Sequence, residues 1–366
     1  MAPLPEPLEP SLVAELRAGL LAWYAEAARD LPWRRTRDPY GIWVSEVMLQ
    51  QTRVEVVEER WVRFLSRFPT VVDLARAAEE EVLAEWAGLG YYRRARSLHA
   101  AAQVVLETHS GRFPTDPASV RALPGVGEYT TGAICSIAFG QPEALVDGNV
   151  ERVFARLFLV DEAAASPALK RASWDLARAL VPERAAGDWN QALMELGATV
   201  CTPRAPRCEA CPVATHCRAL GHGRAAELPR PKARRPVVEV EVELALALRG
   251  EEVLVRQRPA GGRMGGLWEL PTREVSWSGE AAPGIHEARW PEALAESGEV
   301  LADGLRHSVT HHRIQGRVLE ARLLHALPEE LCWAPLGELE RRGLTALSAK
   351  ALSKSASAVA RLRRSR

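Results

Sequence analysis

A change of hydrophobic periodicity near residue 230 restricts this chain to two joined architectures. From residue 11 to about 220 the apolar residues recur at helical spacing, whereas from 237 to 325 they recur at every second position. Val238, Val240, Val242, Leu244, Leu246 and Leu248 alternate with Glu239, Glu241, Glu243, Ala245 and Ala247, a strand with one apolar face. A hairpin at Arg249–Glu252 leads into a second strand. Between the halves, residues 228–236 read Leu-Pro-Arg-Pro-Lys-Ala-Arg-Arg-Pro; three prolines resist helix and four basic residues stay solvated, which makes a linker. With 366 residues, each half is long enough to bury its own core. Apolar stretches such as Ala133 to Phe139 fall far short of the roughly 20 residues that span a bilayer, so no transmembrane helix is expected. Residues 1–10 carry no basic n-region or apolar h-region and read as a Pro-rich disordered lead-in, and a cytoplasmic location is expected. In the helical half, Asp38 suits a helix cap with Pro39 in the first turn. Further helices are expected around 53–67, 79–86, 92–109, 116–122, 128–139, 148–160, 167–181 and 187–200.

Four of the six cysteines, Cys201, Cys208, Cys211 and Cys217, fall within seventeen residues, while Cys135 and Cys332 stand alone and read as small buried apolar residues. In a reducing compartment, disulfides explain such a cluster poorly and metal binding explains it well. Thiolate-only ligation suits tetrahedral zinc or a four-iron cluster. The spacing C-x6-C-x2-C-x5-C has one short knuckle and two longer arms, which favours iron–sulfur but leaves zinc open.

Residues 123–127, Leu-Pro-Gly-Val-Gly, break helical sequence with a glycine turn that opens into the next helix. Gly125, Val126 and Gly127 would present backbone N–H groups and the positive end of a helix, a site suited to phosphate. A plain structural turn reads equally well from these residues alone. Twenty residues on comes Val146-Asp147-Gly148-Asn149-Val150, and some fifty residues later the cysteine loop.

This order of features resembles the helix-hairpin-helix DNA glycosylase superfamily, and within it the iron–sulfur branch that contains endonuclease III and the adenine-specific MutY family. The resemblance covers roughly residues 20 to 228. It is carried by Leu31-Pro-Trp-Arg34, by residues 43–52 (Trp-Val-Ser-Glu-Val-Met-Leu-Gln-Gln-Thr), by Gly88-Leu-Gly-Tyr-Tyr-Arg93 and by Val146–Val150. It implies a 4Fe-4S cluster on Cys201, Cys208, Cys211 and Cys217. Endonuclease III-like enzymes carry a lysine, two residues after the second hairpin glycine, that forms a Schiff base with the sugar. This chain has Tyr129 there, which implies a monofunctional glycosylase. By the same resemblance, Glu46 is the acid that protonates the leaving adenine, and Asp147 the carboxylate facing the cationic sugar, with Tyr129 and Asn149 hydrogen-bonding that carboxylate and the sugar region. Glu46 lies in an apolar stretch, Val44 to Leu49, which favours a raised pKa. Asp147 before Gly148-Asn149 also suits a helix cap.

Reaching the base requires its extrusion from the duplex. The resemblance assigns Gln51 to the vacated stack, Leu89 and Tyr91 to a wedge beside the opposite base, and Arg29, Trp33, Arg34, Leu49 and Gln191 to the adenine pocket. Arg204 and Arg207, in the first arm of the cysteine loop, would meet phosphates.

In the second half, Gly265-Gly-Leu-Trp-Glu-Leu-Pro271 looks like the opening of a Nudix fold, yet residues 272–300 hold no Arg-Glu-x-x-Glu-Glu magnesium-binding run. A repurposed Nudix-like domain is implied, used in the MutY family to read 8-oxoguanine. The family's Phe-Ser-His loop is here Val309-Thr310-His311, so Thr310 and His311 are assigned to the lesion while the aromatic is lost; His307, His311 and His312 also suit a polar hairpin edge.

The expected fold is therefore multidomain: an all-α helix-hairpin-helix glycosylase domain with an iron–sulfur cluster loop, then an α+β Nudix-like domain. Its map is lead-in 1–10, helical domain 11–200 with the hairpin at 116–139, cluster loop 201–227, linker 228–236, Nudix-like domain 237–350 and basic tail 351–366. The expected partner is double-stranded DNA with an A:8-oxoguanine or A:G mispair, bound by a monomer, with no membrane association. An oxidised-pyrimidine glycosylase/lyase and a non-catalytic iron–sulfur DNA-binding protein are the alternatives. The balance of 47 basic against 47 acidic residues hides arginine patches at 34, 35 and 37, at 93, 94 and 96, and in the linker.

Overall fold

The computed structural model describes residues 8–232, 236–259, 264–279, 284–287, 289–339 and 343–364. The chain divides into a helical unit and a β-rich unit. The helical unit begins with α1 (Pro10–Ala27), α2 (Pro39–Leu49), α3 (Val54–Arg67), α4 (Val71–Arg76), α5 (Glu79–Glu85) and α6 (Arg93–His109). It continues with α7 (Pro117–Arg121), α8 (Glu128–Phe139), α9 (Gly148–Leu157), α10 (Pro167–Leu180), α11 (Ala186–Thr199) and the short α12 (Arg218–Gly221).

Local chemistry fixes the helix that matters most for the site. The Asp38 carboxylate accepts from the N–H groups of Tyr40 (3.2 Å) and Gly41 (3.1 Å), and Pro39 fills the first turn, so α2 starts as the sequence indicates. Its other end is tied down by Arg94, whose guanidinium donates to the carbonyls of Val47 (2.7 Å) and Met48 (2.9 Å). Every residue from Tyr40 to Met48 is buried, so Glu46 is carried into the interior by its helix. The core joins Leu16 and Leu20 of α1, Ile42 of α2, Ala133 of α8, Val150 and Phe154 of α9, and Trp189, Leu193 and Leu196 of α11. Between α7 and α8, Gly125 has φ +75°, and a β-carbon there would sit 2.5 Å from the Ser97 β-carbon. The tight hairpin turn thus excludes any side chain at this position.

α4 lies where no helix was expected. Thr70 and Asp73 cap each other's backbone N–H groups there in a capping box. The expected linker also starts too early. Leu228 is buried, Arg230 N–H donates to Glu162 O (2.9 Å), and Ala164 N–H donates to Arg230 O (2.8 Å), so residues 228–230 are docked on the helical unit. The expected lead-in falls mostly on residues 1–7, outside the described residues, and α1 already begins at Pro10.

The β-rich unit holds β1 (Val238–Leu246), β2 (Leu248–Arg249), β3 (Glu252–Gln257), β4 (Trp268–Glu269), β5 (Thr272–Trp277), β6 (Leu294–Val309), β7 (His312–Leu323) and β8 (Leu331–Pro335), followed by α13 (Ala346–Lys354) and α14 (Ala356–Arg364). One sheet has the order β5-β1-β7-β6, with β1 parallel to β7 and the other pairs antiparallel; in the second, β3 pairs with β2, β4 and β8. Val240, Val242, Leu244 and Leu246 point into one core, as the alternation predicts. The opposite face is not simply polar: Ala245 and Ala247 are buried with Trp290 and Leu319, and Glu243 is buried between Arg273 and Arg317. The boundary expected at residue 350 falls inside α13. Ala351 and Val359 join the core, so the segment expected as a basic tail continues the domain as two helices.

Candidate active site

A cavity of about 570 Å³ opens in the helical unit, walled by α2, α8, α11 and the start of α9. It gathers Arg29, Trp33, Arg34, Glu46, Leu49, Gln51, Tyr129, Asp147, Asn149 and Gln191, residues that the sequence singles out from widely separated segments. Leu31, Ser45, Thr52, Met194 and Glu195 line it as well.

The two carboxyl groups occupy different environments. Glu46 is buried at 5% exposure. Burial pushes its pKa up to about 7, Asp147 adds to the rise, and the Tyr129 hydrogen bond and the Arg34 charge oppose it. At neutral pH the proton on Glu46 is therefore readily transferred. The Tyr129 hydroxyl bonds the Glu46 carboxyl and also meets the Met194 sulfur at 3.4 Å. Here the structure departs from the sequence expectation, because Tyr129 is bonded to the acid and not to Asp147. Burial beside two carboxyl groups keeps that phenol neutral, well above its usual pKa.

Asp147 is the helix cap that the sequence allows, and it also lines the cavity. It caps α9, with Oδ1 accepting from the N–H groups of Asn149 (2.9 Å) and Val150 (2.8 Å), while Oδ2 accepts from the Asn149 side-chain amide (2.8 Å). Burial raises its pKa, and these three donors favour its ionised form. A buried acid with its pKa near neutrality, beside a carboxyl whose ionised form a helix N-terminus favours, is an arrangement suited to general acid and electrostatic work.

Arg152, which sequence reading missed, fixes Asn149. Its guanidinium donates to Asn149 Oδ1 (2.8 Å), to the Gly197 carbonyl (2.8 Å) and to the Cys201 carbonyl (2.8 Å). With Oδ1 so engaged, the Asn149 amide must present its NH2 to Asp147. One turn further on, Arg156 donates to Thr202 O (2.8 Å), Pro203 O (3.1 Å) and Leu228 O (2.7 Å), and contacts Cys201 Sγ at 3.3 Å. The i, i+3, i+7 spacing of Asn149, Arg152 and Arg156 on α9 was the available signal. The second missed residue is Glu195, whose buried carboxylate pairs with Arg29 (2.8 Å) and Arg34 (2.7 Å). Burial alone would raise Glu195, but hydrogen bonds from the two arginines hold it down to about 2.

Cys201, Cys211 and Cys217 pack against the helical core, and the charges of the other three cysteines, Cys201, Cys217 and Cys208, act on Cys211. The donor set is purely sulfur, with the Arg156 cation at its edge. Among the described residues, no group of three or more His, Cys, Asp or Glu side chains is arranged as a formed metal site. At the hairpin, Gly127 caps α8 without any side-chain acceptor, which leaves N–H groups of the first turn open to an anion. Gly125 and Gly127 are exposed, while the Val126 side chain is buried. Arg204 is exposed, and Arg207 donates to the Thr199 carbonyl at 2.6 Å.

Other expected residues lie outside the cavity. Leu89 is buried at 5% exposure, whereas Tyr91 is 58% exposed. Gln51 and Tyr91 both hold positive φ, +58° and +48°. Thr310 and His311 form the turn of the β6–β7 hairpin in the second unit. Thr310 holds φ +56°, costly for a β-branched residue, and its hydroxyl donates to Val309 O at 2.7 Å.

A helical fold with a glycine hairpin and an acid–carboxylate pocket, followed by a magnesium-motif-free Nudix-like sheet domain, defines a class. Residues 44–179 match the HhH-GPD superfamily of base excision DNA repair proteins, and residues 244–354 match the NUDIX domain. A solved thermostable thymine-DNA glycosylase is similar to the helical half, with 31% identity and TM-score 0.52 over 58% of this chain and 98% of that one. Adenine DNA glycosylase of Mus musculus is 40% identical over 347 residues, 81% of this chain and 67% of the mouse protein. The chain belongs to the adenine DNA glycosylase family. The Rattus norvegicus relative is also 40% identical, and the matched region spans 62% of its length. Among the described residues, no helix is long and apolar enough to cross a membrane.

Proposed function

We propose that this chain is a monofunctional adenine DNA glycosylase that hydrolyses the N-glycosidic bond of adenine mispaired with 8-oxoguanine or guanine in duplex DNA. The reading rests above all on Glu46 and Asp147 sharing one cavity in unlike surroundings, Glu46 buried against the Tyr129 phenol and Asp147 bonded by three N–H donors at a helix N-terminus. As the glycosidic bond breaks, its electron pair leaves with the base and Glu46 supplies a proton to a ring nitrogen of that base. Asp147, whose ionised form three N–H donors favour against its burial, faces the positive charge that grows on the sugar carbon. A water molecule then adds to that carbon, leaving its hydroxyl on the sugar and giving up a proton that restores the acid form of Glu46. The phenol of Tyr129 cannot form an imine with the sugar, so the reaction stops at an abasic site with the strand intact.

The family's cofactor fits the donor set. Cys201, Cys208, Cys211 and Cys217 are the residues that would hold a 4Fe-4S cluster, whose chemistry here is to crosslink the loop bearing Arg204 and Arg207. The α8 N-terminus at Gly125–Gly127 would take a DNA phosphate, Gln51 the vacated stack, and Thr310 with His311 the lesion opposite the adenine.

Single-turnover reactions of the full chain on duplexes bearing A opposite 8-oxoguanine, A opposite G, thymine glycol, or only normal pairs test this. Adenine release from the first two, with strand breaks only after alkali, is expected. Breaks without alkali would establish a lyase, and inertness toward all four would leave a binding protein.

A further inference from the structure

The Glu195 side chain has no exposed surface, yet it belongs to the wall of the cavity that contains Glu46 and Asp147. Its Oε1 accepts from the backbone N–H (3.2 Å) and Nε (2.8 Å) of Arg29, and its Oε2 from Nη2 of Arg29 (2.9 Å) and Nη2 of Arg34 (2.7 Å). Arg34 also donates to the Arg29 carbonyl at 3.0 Å. One carboxylate thus locks two guanidinium groups into the cavity wall: planar Arg29 pairs with both of its oxygens, and Arg34 bridges Oε2 and the Arg29 carbonyl. The same carboxylate balances charge. Two uncompensated cations beside the cavity would favour the ionised form of Glu46 and take away the proton that the departing base needs.

We propose that Glu195 is a positioning residue for base release: it aims Arg29 and Arg34 at the base and offsets their charge, so that Glu46 keeps its proton at neutral pH. The inference rests on the assignment of Glu46 as the acid. The groups that act on Glu46 are Tyr129 from α8, Asp147 at the start of α9 and Arg34 from the turn after α1. Glu55 and Glu58 of α3 act on Arg29, and Glu195 of α11 binds both arginines. Neutralising Glu195 leaves Arg34 with its effect on Glu46 undiminished by a partner.

The test is the pH profile of single-turnover adenine release by the full chain on an A:8-oxoguanine duplex, with duplex affinity measured alongside. Glu195→Gln is expected to move the alkaline midpoint down by about one pH unit, the usual size for one unbalanced charge in a partly buried site. Glu195→Asp, which keeps the charge, should leave the midpoint in place while slowing the reaction. Arg34→Met should move it up. Opposite shifts from removing the anion and the cation are not produced by a merely structural role. Rates that scale uniformly in Glu195→Gln and Arg34→Met with unmoved midpoints would overturn the proposal. If Glu195→Gln alone does not fold, the double variant Glu195→Gln with Arg34→Met decides: a midpoint below that of Arg34→Met is expected, and an equal midpoint would overturn the proposal. A wild-type profile with no alkaline limb near pH 7 would instead remove the Glu46 assignment itself.

Discussion

Replacing Glu46 by Gln should stabilise the protein, and only above a definable pH. Burial raises the folded-state pKa of Glu46 from an ordinary 4.5 to about 7. Between those values the unfolded chain has lost this proton while the folded chain keeps it, so folding stability falls as pH rises. Below about pH 4.5 both states are protonated and the penalty vanishes. Above about pH 7 the folded protein must bury the anion, at a cost of about 3 kcal/mol from a shift of about 2.5 units at 1.36 kcal/mol each. Glutamine copies the protonated carboxyl in shape and can still accept from Tyr129. The variant should therefore gain about 3 kcal/mol over wild type at pH 8 and under about 1 kcal/mol at pH 5. Urea unfolding followed by far-ultraviolet ellipticity at both pH values measures the difference. A gain that is the same at pH 5 and pH 8, or absent at pH 8, would refute the claim that Glu46 is held protonated by burial.

Three further outcomes follow from the packing. Arg152→Gln should slow single-turnover base release by roughly tenfold or more, about 1.4 kcal/mol, while duplex affinity changes little, because it frees the Asn149 amide that orients Asp147; an unchanged rate would disconnect Arg152 from the site. Gly197→Ala places a β-carbon 2.6 Å from the Asn149 β-carbon, so it should destabilise by about 1–3 kcal/mol in thermal unfolding and slow base release as well. Thr310→Gly relieves φ +56° and should raise stability by about 1 kcal/mol while eroding the preference for 8-oxoguanine over guanine in competition reactions. Unchanged preference there would take the hairpin turn out of lesion recognition.

What the residues disclosed and what they hid divide along physical lines. Local signals translated directly: Asp38-Pro39 opened α2, the Arg249–Glu252 hairpin closed β2 on β3, and β1 kept its buried-exposed alternation as far as Val242. The cavity residues were legible because their motifs are contiguous in sequence, as in residues 43–52 and 146–150. Glu195 was not, since a glutamate in the middle of a helix reads as solvated; only the approach of Arg29 and Arg34 from more than 160 residues away makes its burial tolerable. Glu243 hid for the same reason, in a strand whose other glutamates, Glu239 and Glu241, are exposed. The linker and tail boundaries failed because basic and proline-rich sequence was read as solvated. Leu228 and Val359 bury themselves even with basic residues close by in sequence. The capping box that starts α4 was readable in Thr70 and Asp73, but six residues form too short a helix to show a period.

In the proposed mechanism, Glu46 as proton donor and Asp147 as the carboxylate facing the sugar divide the chemistry between them. Asp147→Asn and Glu46→Gln, assayed by single-turnover adenine release from an A:8-oxoguanine duplex with affinity measured in parallel, test it most directly. Both variants should bind the duplex as wild type does and lose base release by at least about a thousandfold, about 4 kcal/mol of transition-state stabilisation. Turnover within tenfold of wild type in either variant, at equal affinity, would contradict the account.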